Sequence, residues 1–127
     1  MELLESKSLP EAIGPYSQAV RANGIIFTSA QIPLTIDGKI IERDIKKQTR
    51  QVLENLKVLL EDSQSSMDSV IKVNVYLENM DDFGVVNVLF AEAFADHKPA
   101  RTTIEARRLP MGSMVVMDAE ALPKDFY

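Results

Sequence analysis

Two places in this chain of 127 residues carry side chains whose type and spacing point to chemistry. The first is the stretch Arg101-Thr102-Thr103-Ile104-Glu105-Ala106-Arg107. Strand alternation puts Arg101, Thr103, Glu105 and Arg107 on one face and Thr102, Ile104 and Ala106 on the other. Arg101 follows Pro99-Ala100 at the start of this strand, where its planar guanidinium could grip a carboxylate through two parallel hydrogen bonds. The plainer alternative is a strand-end surface arginine paired with Glu105. The second place is Asn87, which lies between Phe83 and Phe90 inside an apolar helical stripe that continues to Phe94. A buried amide without partners costs about 1–3 kcal/mol, so Asn87 is either a core residue tied to backbone groups or part of a site.

Elimination narrows the rest. There is no Cys, hence no disulfide framework, thiolate metal site or Cys nucleophile. The single His, His97, rules out a multi-histidine metal centre, and its place between Asp96 and Lys98 reads as a solvated loop. No metal site is expected. The five Gly are scattered, so neither a P-loop nor a dinucleotide fingerprint exists. Carboxylate pairs such as Glu61-Asp62 and Asp81-Asp82 fall at helix ends, where capping and dipole effects account for them. With 14 Lys plus Arg against 19 Asp plus Glu, the net charge of -5 disfavours phosphate backbones and anionic lipid. No apolar run approaches the roughly 20 residues that span a bilayer. The start, Met1-Glu2-Leu3-Leu4-Glu5-Ser6, is acidic and lacks an apolar core, which leads us to expect a cytoplasmic protein.

These residues need a scaffold, and the hydrophobic pattern supplies one. Residues 8–16 hold two Pro and one Gly and read as irregular. Strands are expected over 17–21 and 25–31, joined at Asn23-Gly24, a strong hairpin signal. From Asp44, a plausible N-cap, apolar residues at Ile45, Val52, Leu53, Leu56, Leu59 and Leu60 give helical periodicity. Val70 to Leu77 is a β-branched and aromatic strand. Asp81 or Asp82 could cap a second helix, and strands over 101–108 and 114–121 flank a turn at Pro110-Met111-Gly112-Ser113. The order β-β-α-β-α-β-β over one domain, 1–127, predicts an α+β fold whose two helices pack on one face of the sheet. Strict alternation fails in 24–34 and 114–121, so the second face should pack on another subunit.

Four separated motifs then resemble one family in order and spacing. They are Ile13-Gly14-Pro15-Tyr16-Ser17-Gln18-Ala19, Phe27-Thr28-Ser29-Ala30-Gln31-Ile32-Pro33, Asp82-Phe83 with Asn87, and Pro99-Ala100-Arg101-Thr102 through Arg108-Leu109-Pro110. Together they are similar to the RidA (YjgF) family of reactive-intermediate deaminases. The resemblance implies a chorismate-mutase-like fold with a mixed β-sheet, a homotrimer with clefts between subunits, and no metal or organic cofactor. It further implies hydrolysis of enamines and imines, such as 2-aminoacrylate and 2-iminobutyrate, to 2-keto acids and ammonia. Arg101 matches the arginine that holds the substrate carboxylate, while Tyr16, Ser29 and Asn87 match cleft positions.

Two departures stand out. Thr103 occupies a position where many deaminases of the family carry Cys, and its hydroxyl can still hydrogen-bond. Counted without gaps from Leu109-Pro110, the family's water-positioning Glu falls on Val116, with Asp118 on the same strand face as a partial substitute. A two-residue shift would place Asp118 and Glu120 at the family's acidic pair; the ungapped count fits Leu-Pro-x-Gly better. The alternative function is a non-catalytic trimer that binds small 2-keto or amino acids as a metabolic sensor. A nucleic-acid-directed role finds little support in this acidic chain, which has no basic stripe.

Overall fold

The computed structural model describes residues 1–124. β2 (Ala19–Ala22) and β3 (Ile25–Thr28) form the expected hairpin, and Asn23 and Gly24 both take positive φ, 52° and 77°. That is the backbone of a two-residue turn whose twist matches the flanking strands, and it is why Asn-Gly stands there. Pairing extends from residue 19, not 17, and ends at residue 28, not 31. A short strand that periodicity does not reveal, β1 (Glu2–Leu4), adds to the outer edge of β2.

α1 (Ile45–Asp62) begins where expected: the Asp44 carboxylate accepts the Lys47 N–H at 3.0 Å. β4 (Val70–Leu77) follows. α2 (Phe83–Phe94) starts differently, because Asp82 makes no side-chain cap. Instead, Asn79 Oδ1 accepts the Asp81 N–H at 2.9 Å and caps the single helical turn Met80–Asp82 that leads into α2.

β5 (Ala100–Glu105) and β6 (Val115–Ala121) do not form a hairpin. The strand order is β1-β2-β3-β6-β4-β5, with β5 at the edge, parallel to β4, and β6 in the middle, antiparallel to both β3 and β4. Parallel neighbours need a crossover, and α2 provides it between β4 and β5. The sheet is therefore mixed, as the resemblance implied.

Both helices lie on one face. Val52, Leu56 and Leu60 from α1 and Val86, Phe90 and Phe94 from α2 pack on Val73, Val75, Leu77, Met117 and Ala119 of the sheet. Two buried amides lock the connecting segments to this core. Gln48, fully buried, donates to Ile41 O (2.9 Å) and accepts the Met114 N–H (2.8 Å), tying the chain before α1 to the start of β6. Asn55 donates to Ile32 O and Leu34 O at 3.2 and 3.0 Å. Among the described residues no helix covers the opposite face, where Leu3, Phe27 and Ile104 are 67%, 38% and 46% exposed.

Candidate functional site

Arg101 projects from β5 toward α2. Its register partner Val73 is buried beneath the helices, so Arg101 and Thr103 share the helix side of the sheet edge. Its Nη1 donates to Asn87 Oδ1 at 2.9 Å. The guanidinium carbon lies 5.3 Å from the Phe83 ring centroid and 4.9 Å from that of Phe90. Such contacts are favourable because the ring face is electron-rich. Asn87 is thus not a core amide: it sits on the exposed flank of α2 and orients the arginine. The pairing with Glu105 is absent as well, because Glu105 Oε1 accepts the Met80 N–H at 2.8 Å. Among the described residues Arg101 has no ion-pair partner, and an arginine fork with one bond spent has donors left for a planar anion.

Tyr16 and Ser29 lie elsewhere. Ser29 Oγ donates to Ser17 O at 2.6 Å, and Tyr16 Oη accepts the Ile13 N–H at 3.4 Å, which folds the 13–16 loop against the ends of β2 and β3. Both residues line one small crevice with Gln18, Gln31 and Asn55. Gln18 braces this segment, donating to Pro10 O at 2.8 Å while accepting the Ser6 N–H.

A third group occupies the open face of the sheet. Asp118 stands across from Asn74, whose Nδ2 donates to Asp118 Oδ1 at 2.8 Å, and Val116 stands across from Tyr76. Tyr76 stands diagonal to Asp118 on the same face. Burial, then the nearby Asp118 carboxylate, push the phenol above its ordinary value. Val116 is only 3% exposed.

Within one chain, then, Arg101, Asn87 and Thr103 come together, Tyr16 and Ser29 come together, and Asp118 lies on the other side of the sheet from Arg101. β6 and β4 separate β3 from β5, about 14 Å at the usual strand spacing. His97 is not a solvated loop residue: its Nε2 hydrogen-bonds Val70 O at 2.6 Å and its ring packs near Phe94. Among the described residues no cluster of three or more His, Asp or Glu could hold a metal ion. The apolar spacing places Phe83 and Phe90 on one helical stripe without showing that their rings face Arg101, and it singles out neither Tyr76 nor Asn74. Their period-2 placement beside the Asp118 strand was the available signal.

A mixed six-stranded sheet backed by two helices on one face, with an arginine fork at its edge, is a single α+β domain. The chain belongs to the endoribonuclease L-PSP family, the YjgF/RidA/RutC group, whose pattern matches residues 6–122. A RutC family protein of Pyrococcus horikoshii is 46% identical over 121 residues, which cover 94% of this chain and 96% of the relative. Protein HMF1 of Saccharomyces cerevisiae is 41% identical over 119 residues, 94% and 92% of the two chains. Among solved structures, the Rid family protein YyfA of Yersinia pestis gives a TM-score of 0.93 at 40% identity, over 95% of this chain and 98% of that one. TdcF of E. coli with bound serine gives 0.90 at 32% identity, over 96% and 98%.

Proposed function

We propose that this protein hydrolyses reactive enamine and imine carboxylates, such as 2-aminoacrylate and 2-iminobutyrate, to 2-keto acids and ammonia. The observation that carries this reading is Arg101, held by Asn87 and two phenylalanine faces with its remaining donors turned to no carboxylate of the described chain. A carboxylate bound there by a bidentate, charge-assisted pair would fix the substrate while water adds to the imine carbon. The E. coli relative described with bound serine is consistent, since serine is a small amino acid with the same carboxylate.

One chain holds only parts of such a site. We therefore propose a homotrimer in which Arg101, Asn87 and Thr103 of one copy face Tyr16, Ser29 and Asp118 of the next. Leu3, Phe27 and Ile104, exposed on the open face, supply apolar surface for that contact. Among the described residues no helix is long and apolar enough to cross a membrane. The compartment we propose is the cytoplasm; protein MMF1 of Saccharomyces cerevisiae, 38% identical, is named mitochondrial, and cell fractionation distinguishes the two addresses. No nucleic-acid partner is proposed.

Buried, apolar Val116 favours the second reading, a trimer that binds small 2-keto or amino acids without turning them over. The deciding test feeds the protein 2-aminoacrylate released from serine by a dehydratase and follows pyruvate. Pyruvate formation well above the buffer rate supports the deaminase. An unchanged rate, with pyruvate still binding to the protein, supports the binder.

A further inference from the structure

Imine hydrolysis needs an attacking water held by an acceptor and a group that carries its proton. Val116 can do neither. We propose that Tyr76 and Asp118 together hold the attacking water and carry its proton, with Asn74 as the positioning residue; the assignment rests on the deaminase reading above.

The geometry comes from strand register. Asn74 and Tyr76 alternate with the buried Val73, Val75 and Leu77, so both stand on the open face of β4. Asp118 of β6 lies directly across from Asn74, which fixes one carboxylate oxygen at 2.8 Å. Tyr76 stands two residues along the same face, diagonal to Asp118, where its hydroxyl can reach the same carboxylate. A hydroxyl that donates to a carboxylate keeps its own lone pairs for a water, and polarisation along the chain strengthens that acceptor. Val116, across from Tyr76, makes the neighbouring wall apolar. The other charged side chains on this face, Glu120 and Lys72, face each other one row away.

The cluster also adjoins the half-site of Ser29. β3 pairs with β6 as Ile26↔Ala121 and Phe27↔Glu120, and the next bridge is Gln31↔Met117. The pairing sum rises by one between them, so the chain bulges at residues 29–30, alongside Asp118. Asp118 therefore lies between Tyr76 on β4 and the Ser29 half-site at the end of β3, toward which the second copy's Arg101 would bring the imine.

The step balances as follows. Starting from the protonated imine, the water oxygen bonds to carbon as the C=N π pair moves onto nitrogen. The water proton passes to Tyr76 Oη while the Tyr76 proton passes to Asp118. The same relay run backward protonates the amine, the C–N bond breaks, and the hydroxyl oxygen forms C=O as its proton leaves by way of Tyr76 and Asp118. Ammonia collects that proton and departs as ammonium, leaving both side chains as they began.

The test compares Tyr76→Phe, Asp118→Asn and Asn74→Ala with the wild type and with Arg101→Ala on 2-iminobutyrate, with each rate normalised to folded protein. Tyr76→Phe and Asp118→Asn should each lose about 100-fold in kcat with KM changed less than about 3-fold, because Arg101 still holds the carboxylate. Asn74→Ala should lose less, and again in kcat. A wild type that works through Arg101 while Tyr76→Phe stays within about 2-fold in kcat overturns this assignment and leaves the deaminase standing. A kcat loss that disappears on normalisation overturns it too. A wild type that accelerates nothing overturns both.

Discussion

Arg101 Nη1 donates to Asn87 Oδ1 at 2.9 Å, so a strand residue and a helix residue 14 positions apart share one job. β5 supplies the cation and α2 supplies its brace, and the crossover that makes β5 parallel to β4 is the same segment that carries Asn87. An unbraced arginine would spend its rotamer freedom on binding; here part of that cost is met on folding.

Arg101→Ala should weaken 2-ketobutyrate binding by about 100-fold, the worth of a charge-assisted bidentate pair. Asn87→Ala should cost about 5-fold, because it removes only the brace. Titration calorimetry on the wild type and both variants reads this directly. Equal affinities for wild type and Arg101→Ala would remove Arg101 from the site.

Phe83 gives the guanidinium one of its two ring faces. Phe83→Leu keeps an apolar side chain there but discards the electron-rich face, and should weaken the same ligand about 3-fold. The ratio should hold at unchanged melting temperature. An affinity equal to wild type would reduce the ring to packing.

Gln48 is fully buried and holds Met114 N–H and Ile41 O with one amide. Gln48→Leu fills the space and orphans those groups, which should cost about 2 kcal/mol, or roughly 6–10 °C in Tm for a chain of this size. Differential scanning calorimetry checks it. A melting temperature within a degree of wild type would mean that the segment before α1 finds other partners.

Tyr76 holds its proton above the ordinary value of 10.0 because of burial and Asp118. Above about pH 10 the unfolded chain therefore ionises first. The stability this group contributes is complete below that pH and is lost as pH rises through the folded value. Lys47, held charged by Glu42, titrates in the same direction above 10.5, and cancels when wild type is compared with Tyr76→Phe. Denaturant midpoints between about pH 9 and 11 should fall more steeply for wild type than for Tyr76→Phe. Parallel curves would show that neither burial nor Asp118 shifts the phenol.

The helices were legible because burial writes a 3.6-residue period into α1, and Asp44 announces its first turn with a side-chain oxygen. Asn23-Gly24 fixed the first hairpin for an equally local reason: few other pairs accept two positive φ values. Pairing partners were less legible. Residues 101–108 and 114–121 read as a hairpin because they are neighbours in sequence, yet β6 gains more by entering between β3 and β4. There Val115, Met117, Ala119 and Ala121 are all buried. Edge β5 keeps most of its residues exposed and accepts only β4. Asn87 illustrates a limit of periodicity: its spacing fits the apolar stripe of α2, but it stands at the stripe's margin, where a neighbouring strand's arginine decides its role. Tyr16 and Ser29 were found only through motif resemblance, since nothing in their local pattern distinguishes a site loop from any other loop.

The central claim is that Arg101 positions a reactive imine for hydrolysis. A threonine dehydratase supplies 2-iminobutyrate, and formation of 2-ketobutyrate is followed with wild type, with Arg101→Ala and with no added protein. The account predicts acceleration by wild type well above the no-protein rate and a return to that rate in Arg101→Ala. Equal rates with and without wild-type protein, or full acceleration by Arg101→Ala, would contradict it.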